Sequence, residues 1–129
     1  MSSLVLRPLV FALMLGACAS SAVTAEKRET NLISRAELEA AGSVTAYDAV
    51  LRLRPTFLRY RGPTSLINAS ARMHPVVFLN EVEYGDLESL RRLPASGVEE
   101  VRFYPGPEAV TRYGSSYGVG AIAVKARVR

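Results

Sequence analysis

The chain has 129 residues, with 16 Lys and Arg against 12 Asp and Glu and a formal net charge of +4 at pH 7. That length supports one small domain and excludes a second. The single cysteine excludes an internal disulfide framework, and the basic residues lack the stripe with interleaved aromatics that nucleic-acid-binding modules carry, so we expect no nucleic-acid partner.

The first residues have the pattern of a bacterial secretory signal. Arg7 precedes an apolar run over residues 8–15, which is too short for a permanent membrane span of ~20 residues. Four consecutive residues then have the spacing of a lipobox: Leu15, Gly16, Ala17 and Cys18. In lipoproteins of this kind the cysteine is acylated and becomes the first mature residue. The sequence therefore predicts a signal peptide over residues 1–17 and a lipid at Cys18. Cleavage after Ala25 is the alternative, and it would discard Cys18.

Residues 19–33 are small and polar at first, then charged, and show no apolar periodicity. This composition predicts a flexible tether over 18–33 that links the lipid to a domain over residues 34–129. Ala19 occupies the position at which aspartate retains some lipoproteins at the inner membrane. We therefore expect a lipid-anchored protein at the outer membrane, facing the periplasm.

Two short helices are predicted to open the domain. Residues Ser34–Glu37 have the capping-box arrangement, and Gly42 can end the helix that begins there, over Arg35–Ala41. Thr45 begins a second capping signal, and apolar residues then recur at helical spacing until Pro55 stops the run.

Strand patterns come next along the chain. Thr56–Arg61 alternates in polarity, as a half-buried strand does, and Val76–Leu79 is apolar on both faces, which predicts the central and best-buried strand. The other expected elements are a helix over Asp86–Leu93, a strand over Val98–Tyr104, a short helix over Pro107–Tyr113 and a final strand over Ile122–Val128. This order predicts an α+β fold, with a small mixed sheet of about four strands and short helices packed on it.

The last third of the chain resembles the end of the plug domain of TonB-dependent outer-membrane receptors. The strand Val98–Tyr104, a Gly-Pro step, a Tyr-Gly pair and a glycine-rich turn before the final strand match the family pattern "ieriEVlrGPasalYG" followed by "gGvInI". Val76–Val82 is similar to the family segment "vlvDGvp". Seven residues carry the motif and are expected to have structural roles: Gly85, Gly106, Pro107, Tyr113, Gly114, Gly118 and Gly120.

In that family a large transmembrane β-barrel follows the plug, whereas this chain ends at Arg129. The resemblance therefore implies a plug-like module that is not a transporter by itself. We expect it to associate with an outer-membrane β-barrel or another envelope protein, with Arg59, Arg61, Tyr113 and Tyr117 as candidate contacts. The sequence leaves the oligomeric state open.

The alternative is a periplasmic domain that binds a small ligand of the siderophore type. It borrows the recognition role that plug loops have in the receptors. Its candidate contacts are the tyrosine rings Tyr84, Tyr104, Tyr113 and Tyr117, although tyrosines at loop ends more often serve packing.

Few residues could support catalysis. His74 is the only histidine, and no serine lies in a nucleophile-elbow context. No His, Cys and Asp spacing fits a metal site, and the motif glycines are not followed by the Lys-Ser/Thr of a P-loop. The carboxylate pairs Glu81/Glu83 and Glu99/Glu100 fit a solvated face. We expect that the protein is not an enzyme and uses no metal or cofactor.

Overall fold

The structure, a computed structural model, describes residues 29–62 and 72–128. Its strands are β1 (Leu32–Ile33), β2 (Val76–Leu79), β3 (Val82–Gly85), β4 (Val98–Tyr104) and β5 (Ala121–Ala126). Its α-helices are α1 (Arg35–Ala41), α2 (Ala46–Leu53) and α3 (Gly106–Tyr113). Shorter 3-10 helices span Pro55–Leu58, Leu87–Arg92, Ala95–Gly97 and Ser115–Tyr117.

The strands form one mixed sheet in the order β1-β4-β5-β2-β3, in which β2 and β5 run parallel and the other neighbours run antiparallel. The predicted α+β fold is confirmed, with five strands in the described part of the chain. The prediction that β2 is central is wrong, because β5 holds the middle place and β2 lies between β5 and β3. An apolar run shows that a strand is covered on both faces, and it does not give the strand's place in the sheet.

The start of the domain agrees with its capping signals. The Ser34 hydroxyl accepts from the Glu37 backbone N–H while the Glu37 carboxylate accepts from the Ser34 N–H, and Gly42 ends α1 in the left-handed region at φ 59°. The Thr45 hydroxyl accepts from the backbone N–H of Asp48 at the start of α2. These local hydrogen bonds satisfy N–H groups that have no partner within a helix, which is why both starts were predictable.

One face of the sheet carries the main core. Helices α1 and α2 pack on this face with the 3-10 helices Pro55–Leu58 and Leu87–Arg92, and they bury side chains of β2, β4 and β5. Phe57 is 1% exposed, and its ring stacks on Phe103 of β4 with a centroid distance of 5.1 Å. Leu90 is fully buried in the same cluster. The burial of these large apolar side chains is the main stabilising contribution of this layer.

The strand predicted at Thr56–Arg61 is wrong. Pro55 begins a 3-10 helix instead, because its fixed φ suits a first helical turn, and the Phe57 N–H donates to the Arg54 carbonyl. In an alternating strand Leu58 and Tyr60 would share the buried side, whereas in the structure Phe57 is buried and Tyr60 is 58% exposed.

Four further elements differ from the predictions. The final strand, expected over Ile122–Val128, is β5 and ends at Ala126. The helix expected at Asp86–Leu93 is the 3-10 helix Leu87–Arg92, with Asp86 as its N-cap. Leu32–Ile33, assigned to the tether, forms β1 and pairs with β4. The sequence analysis also missed β3, which is joined to β2 by a two-residue turn.

The other face of the sheet is covered in part by α3 and the 3-10 helix Ser115–Tyr117. A second, smaller core lies there, formed by Val76, Phe78, Ala109 and Ala121, with tyrosine rings packed against it. The helix begins at Gly106, so Pro107 is its second residue and not its first as predicted. The rest of this face, over β4 and β5, carries polar side chains that include Glu100, Arg102 and Lys125.

Several predicted features lie outside the described residues. They are the signal peptide, the lipobox Leu15, Gly16, Ala17 and Cys18, and the tether before Glu29. Among the helices that are described, none is long and apolar enough to cross a membrane.

Candidate functional site

Four aromatic rings meet where α3 crosses β2. Tyr113 at the end of α3 stacks on Phe78 with centroids 3.8 Å apart and ring planes 14° from parallel. Tyr117 meets Phe78 edge-on at 5.2 Å, and Tyr104 meets Tyr113 edge-on at 5.9 Å. Three of the four tyrosines proposed as ligand contacts are therefore gathered here. Tyr84 lies on β3 and is not part of this cluster.

The hydroxyl ends of these tyrosines join a network of charged groups. Arg112 donates from Nε and Nη2 to the Glu81 carboxylate at 3.2 and 2.8 Å, and the Tyr113 hydroxyl donates to the same carboxylate at 3.1 Å. The Tyr117 hydroxyl donates to Glu83, which also pairs with Arg72 at 3.2 Å. The two glutamates that were expected on a solvated face thus link the β2–β3 hairpin to the α3 region.

The protonation of the network depends on its hydrogen bonds. The bonds from Arg112 lower the pKa of Glu81, although partial burial opposes this effect. The same carboxylate raises the pKa of Arg112. Burial raises the pKa of Tyr113, and the hydrogen bond to Glu83 raises the pKa of Tyr117. At neutral pH Glu81 is therefore a charged acceptor, and Tyr113 and Tyr117 are neutral donors.

The motif glycines bring the α3 corner close to the turn before β5. A Cβ on Gly106 would lie 2.2 Å from the Gly118 carbonyl oxygen, so the close backbone approach requires glycine there. Gly106 does not have a positive φ, so this contact, and not a left-handed backbone angle, accounts for the glycine. Gly114 and Gly120 have φ near +112°, where side chains are disfavoured. Gly85, with φ +149°, packs against Ser89.

The other predicted contacts lie after the 3-10 helix Pro55–Leu58. Arg59, Tyr60 and Arg61 are all exposed. The Arg61 guanidinium lies 4.5 Å from the centroid of the Phe103 ring and donates to the Thr56 carbonyl at 3.3 Å. Within the described residues the Arg59 side chain has no hydrogen bond or ion pair, so it is available to a partner.

Two ring contacts connect the predicted contact regions. Tyr60 meets His74 edge-on at 5.6 Å, and the Arg72 guanidinium lies 4.9 Å over the Tyr117 ring. We call the resulting surface the Arg–Tyr surface. It consists of Arg59, Tyr60, Arg61, Arg72, His74 and Tyr117.

The sequence analysis missed Tyr60, Arg72 and His74 as contacts. The Arg-Tyr-Arg tripeptide was a usable signal for Tyr60. For the other two, only the tertiary contacts place them beside the predicted residues. Tyr113 is half-buried on Phe78, which suits packing of the small core more than direct contact with a partner.

A polar groove lies beside the aromatic cluster, on the part of the sheet that α3 leaves uncovered. Its volume is about 360 Å³, and Glu100, Arg102, Tyr104, Arg112 and Lys125 contribute to its walls. Its charges are partly paired, since Arg102 lies 3.3 Å from Glu29 and Arg112 binds Glu81. The groove can therefore offer both donors and acceptors to a small polar ligand.

The described residues contain no cluster of three or more His, Cys, Asp and Glu side chains that could hold a metal ion. His74 is exposed, and its ring contact is with Tyr60. The carboxylates nearest to the tyrosines are engaged by arginine. This arrangement is suited to binding through charged and aromatic side chains.

Comparison with known proteins adds no relative. No family model matches the chain, no curated protein matches it, and no solved structure matches it.

Proposed function

We propose that the chain is a lipid-anchored interaction module of the cell envelope, similar in design to the plug of a TonB-dependent receptor. The observation that carries this proposal is the Arg–Tyr surface, in which Arg59 and Tyr60 are exposed and linked through His74 and Arg72 to Tyr117. Arginine and tyrosine are the residue types enriched at protein interfaces and at their energetic hot spots.

The proposed partner is an outer-membrane β-barrel or another envelope protein. Residues 1–17 act as the signal peptide in this proposal, Cys18 carries the lipid, and the domain faces the periplasm. The support is the lipobox spacing and the order of strands, glycines and tyrosine in the last third of the chain.

Photo-crosslinking in cells tests the partner. A photoreactive amino acid at position 60 should form a covalent complex with an envelope protein, whereas the same probe at Val44 should not. Val44 is 80% exposed and hydrogen-bonds Ala95, before the start of β4, whereas the Arg–Tyr surface lies at the other end of the sheet. Arg59→Glu should lower the yield of the complex because it reverses an unpaired charge. Equal products from both probe positions, or an unchanged yield in Arg59→Glu, would refute the proposal.

The second candidate function is binding of a small ligand, and the polar groove is the observation that favours it. Tyr104 and Arg112 border this groove, and the Arg112 guanidinium lies 5.1 Å from the centroid of the Tyr104 ring. Purified protein without a partner should then bind a catecholate probe, and Arg102→Gln should weaken that binding. Unchanged tyrosine and catecholate spectra on mixing would exclude this candidate.

A further inference from the structure

We propose that Arg59, Tyr60 and Arg61 dock on the phosphate-bearing headgroups of an anionic lipid surface. This contact needs no protein partner, so it goes beyond the proposed interaction with an envelope protein, although it rests on the lipid anchor at Cys18 that the proposed function includes. It uses the cationic end of the Arg–Tyr surface.

The first step concerns where the chain enters the domain. We define the upper end of the sheet as the end at which β4 finishes and β2 and β5 begin. β1 is antiparallel to β4 and therefore also begins there, and the Asn31 carbonyl accepts from the Phe103 N–H at 2.8 Å. The Arg61 guanidinium lies over the same Phe103 ring, and the Arg61 backbone N–H donates to the Met73 carbonyl at 3.3 Å. The chain that leads back to the proposed lipid at Cys18 thus enters the domain at the same end of the sheet as Arg61.

The second step concerns length. Ten residues separate Cys18 from Glu29. Because an extended chain spans at most ~3.5 Å per residue, a lipid at Cys18 holds the upper end of the sheet within roughly 40 Å of the bilayer. The Arg59–Arg61 segment is then held at high local concentration beside the headgroups. Binding to a surface at this distance is effectively intramolecular.

The third step concerns charge. Two acidic side chains near this end are engaged by arginine, since Glu29 pairs with Arg102 and Glu83 pairs with Arg72. Glu108, in the first turn of α3 on the other face of the sheet, is exposed. The side chain of Asp86 caps the 3-10 helix Leu87–Arg92. Arg59 and Arg61 form no ion pair within the described residues, so their charges complement an anionic surface.

The fourth step concerns the side chains between the charges. Tyr60 is 58% exposed and Met73 is 44% exposed, and both lie with the two arginines at the upper end. A tyrosine ring presents an apolar body and a polar hydroxyl, a combination that is favoured at membrane interfaces. Basic and aromatic side chains beside a lipid anchor add electrostatic and interfacial affinity to the anchoring that the acyl chains supply.

The test uses the absence of tryptophan from the sequence. The full chain with Tyr60→Trp is reconstituted into vesicles of phosphatidylcholine, with or without phosphatidylglycerol. We expect a blue shift of the emission, and quenching by brominated lipid, only when phosphatidylglycerol is present, and we expect both to weaken as salt screens the charges. Because anchoring is the same in both vesicles, the difference reports headgroup charge alone.

Matched variants locate the contact. In the Tyr60→Trp background, Arg59→Gln should weaken docking about fivefold, and adding Arg61→Gln should weaken it about thirtyfold in total. Arg127→Gln is the control, because the Arg127 backbone N–H donates to the Gly97 carbonyl at the lower end of the sheet. Val44→Trp with Tyr60 unchanged, which places the tryptophan at the lower end, should show no blue shift of the emission.

The outcomes separate the two proposals. An equal emission shift on both vesicle types, or no effect of Arg59→Gln on docking, would overturn this inference. It would leave the proposed function standing if crosslinking at position 60 still captures an envelope protein. Arg59→Gln alone is decisive, because Arg61 also contacts Phe103 and its replacement can affect folding.

Discussion

Glu81 binds Arg112 through two hydrogen bonds although its own backbone is unfavourable for a glutamate. It lies in the two-residue turn between β2 and β3 at φ 69°, after Asn80 at φ 48°. Turns with two positive φ angles match the twist of a hairpin and usually place glycine at the second position. The carboxylate compensates by joining the turn to Arg112 and Tyr113 of α3. Asn80 adds a second link, since its Oδ1 accepts from the Ala126 N–H at 2.9 Å.

The opposing effects of the positive φ and the ion pair at Glu81 predict that two replacements of this residue differ in stability. Glu81→Ala keeps the left-handed strain and loses the ion pair, whereas Glu81→Gly loses the pair and relieves the strain. We expect Glu81→Ala to be less stable than Glu81→Gly by about 1 kcal/mol. Urea unfolding of both variants beside the wild type measures the difference. Arg112→Gln removes the pair without changing the turn and serves as the control. Equal stabilities of the alanine and glycine variants would show that the turn is not strained.

The same network predicts a dependence of stability on pH. The pKa of Glu81 is lowered in the folded state, so its contribution is present above the usual glutamate value of 4.5 and is lost as the pH falls through the lowered value. The pKa of Tyr117 is raised, so its contribution is present below the usual tyrosine value of 10.0 and is lost as the pH rises through the raised value. Urea midpoints should therefore fall at both extremes.

Two variants show which residue causes the loss of stability at each extreme of pH. The urea midpoint should depend less on pH in the acid range for Glu81→Gln, and less on pH in the alkaline range for Tyr117→Phe. Glu81 is exposed and Tyr117 is half-buried at the surface, so the effects are small and shrink with salt. If the urea midpoint of Glu81→Gln falls in acid as steeply as that of the wild type, other carboxylates cause the loss of stability.

Local signals in the sequence were sufficient for some elements. Ser34 and Thr45 cap the helices they were predicted to cap, and the alternation of Val98–Tyr104 gave the bounds of β4. Each of these depends on residues that are neighbours along the chain. Where the pattern depended on tertiary packing it failed, as at Thr56–Arg61, where burial of Phe57 against Phe103 favours a helical turn.

The candidate site was predictable to a similar extent. Arg59 and Arg61 are exposed as expected, and Tyr104, Tyr113 and Tyr117 come together. The hairpin was missed because its turn contains Asn-Glu where an Asn-Gly pair would have been a strong signal. Because the hairpin was not predicted, no pattern in the sequence could indicate that the Glu81 carboxylate binds Arg112.

The two cores predict the effects of removing their phenylalanines. The prediction that Val76–Leu79 is the central and best-buried strand implies that Phe78→Ala costs more than Phe57→Ala. The structure revises this order, because Phe57 is 1% exposed in the main core and Phe78 is 4% exposed in the smaller one. Each replacement should lower the free energy of unfolding by about 3–5 kcal/mol, with Phe57→Ala at least as damaging.

Thermal or urea unfolding checks this order. Tyr60→Ala is the control and should change stability by less than about 0.5 kcal/mol, because its ring is mostly exposed. A loss in Phe57→Ala as small as that in Tyr60→Ala would contradict the assignment of Phe57 to the core.

The close contact between Gly106 and Gly118 predicts that adding one methyl group at position 106 causes a large loss of stability. In Gly106→Ala the new Cβ would lie 2.2 Å from the Gly118 carbonyl oxygen, and neither backbone can give way cheaply. We expect a loss of about 1–3 kcal/mol, as for other overpacked sites. Gly97→Ala is the matched control, since its Cβ would meet only Pro94 at an ordinary 3.5 Å. Similar melting temperatures for the two variants would mean that the α3 corner is looser than the structure indicates.

The proposed lipid anchor predicts that replacing the thiol of Cys18 by a hydroxyl removes the lipid. Acylation of a lipobox requires the thiol, so Cys18→Ser should leave either an unprocessed precursor or a chain without lipid. Radioactive or clickable fatty acid supplied to cells should label the wild type and not the serine variant. If cleavage instead occurs after Ala25, the mature protein lacks Cys18 and neither chain is labelled. The mass of the mature N-terminus distinguishes these cases, because only the lipoprotein begins at an acylated residue 18. Labelling of Cys18→Ser at the wild-type level would exclude Cys18 as the attachment site.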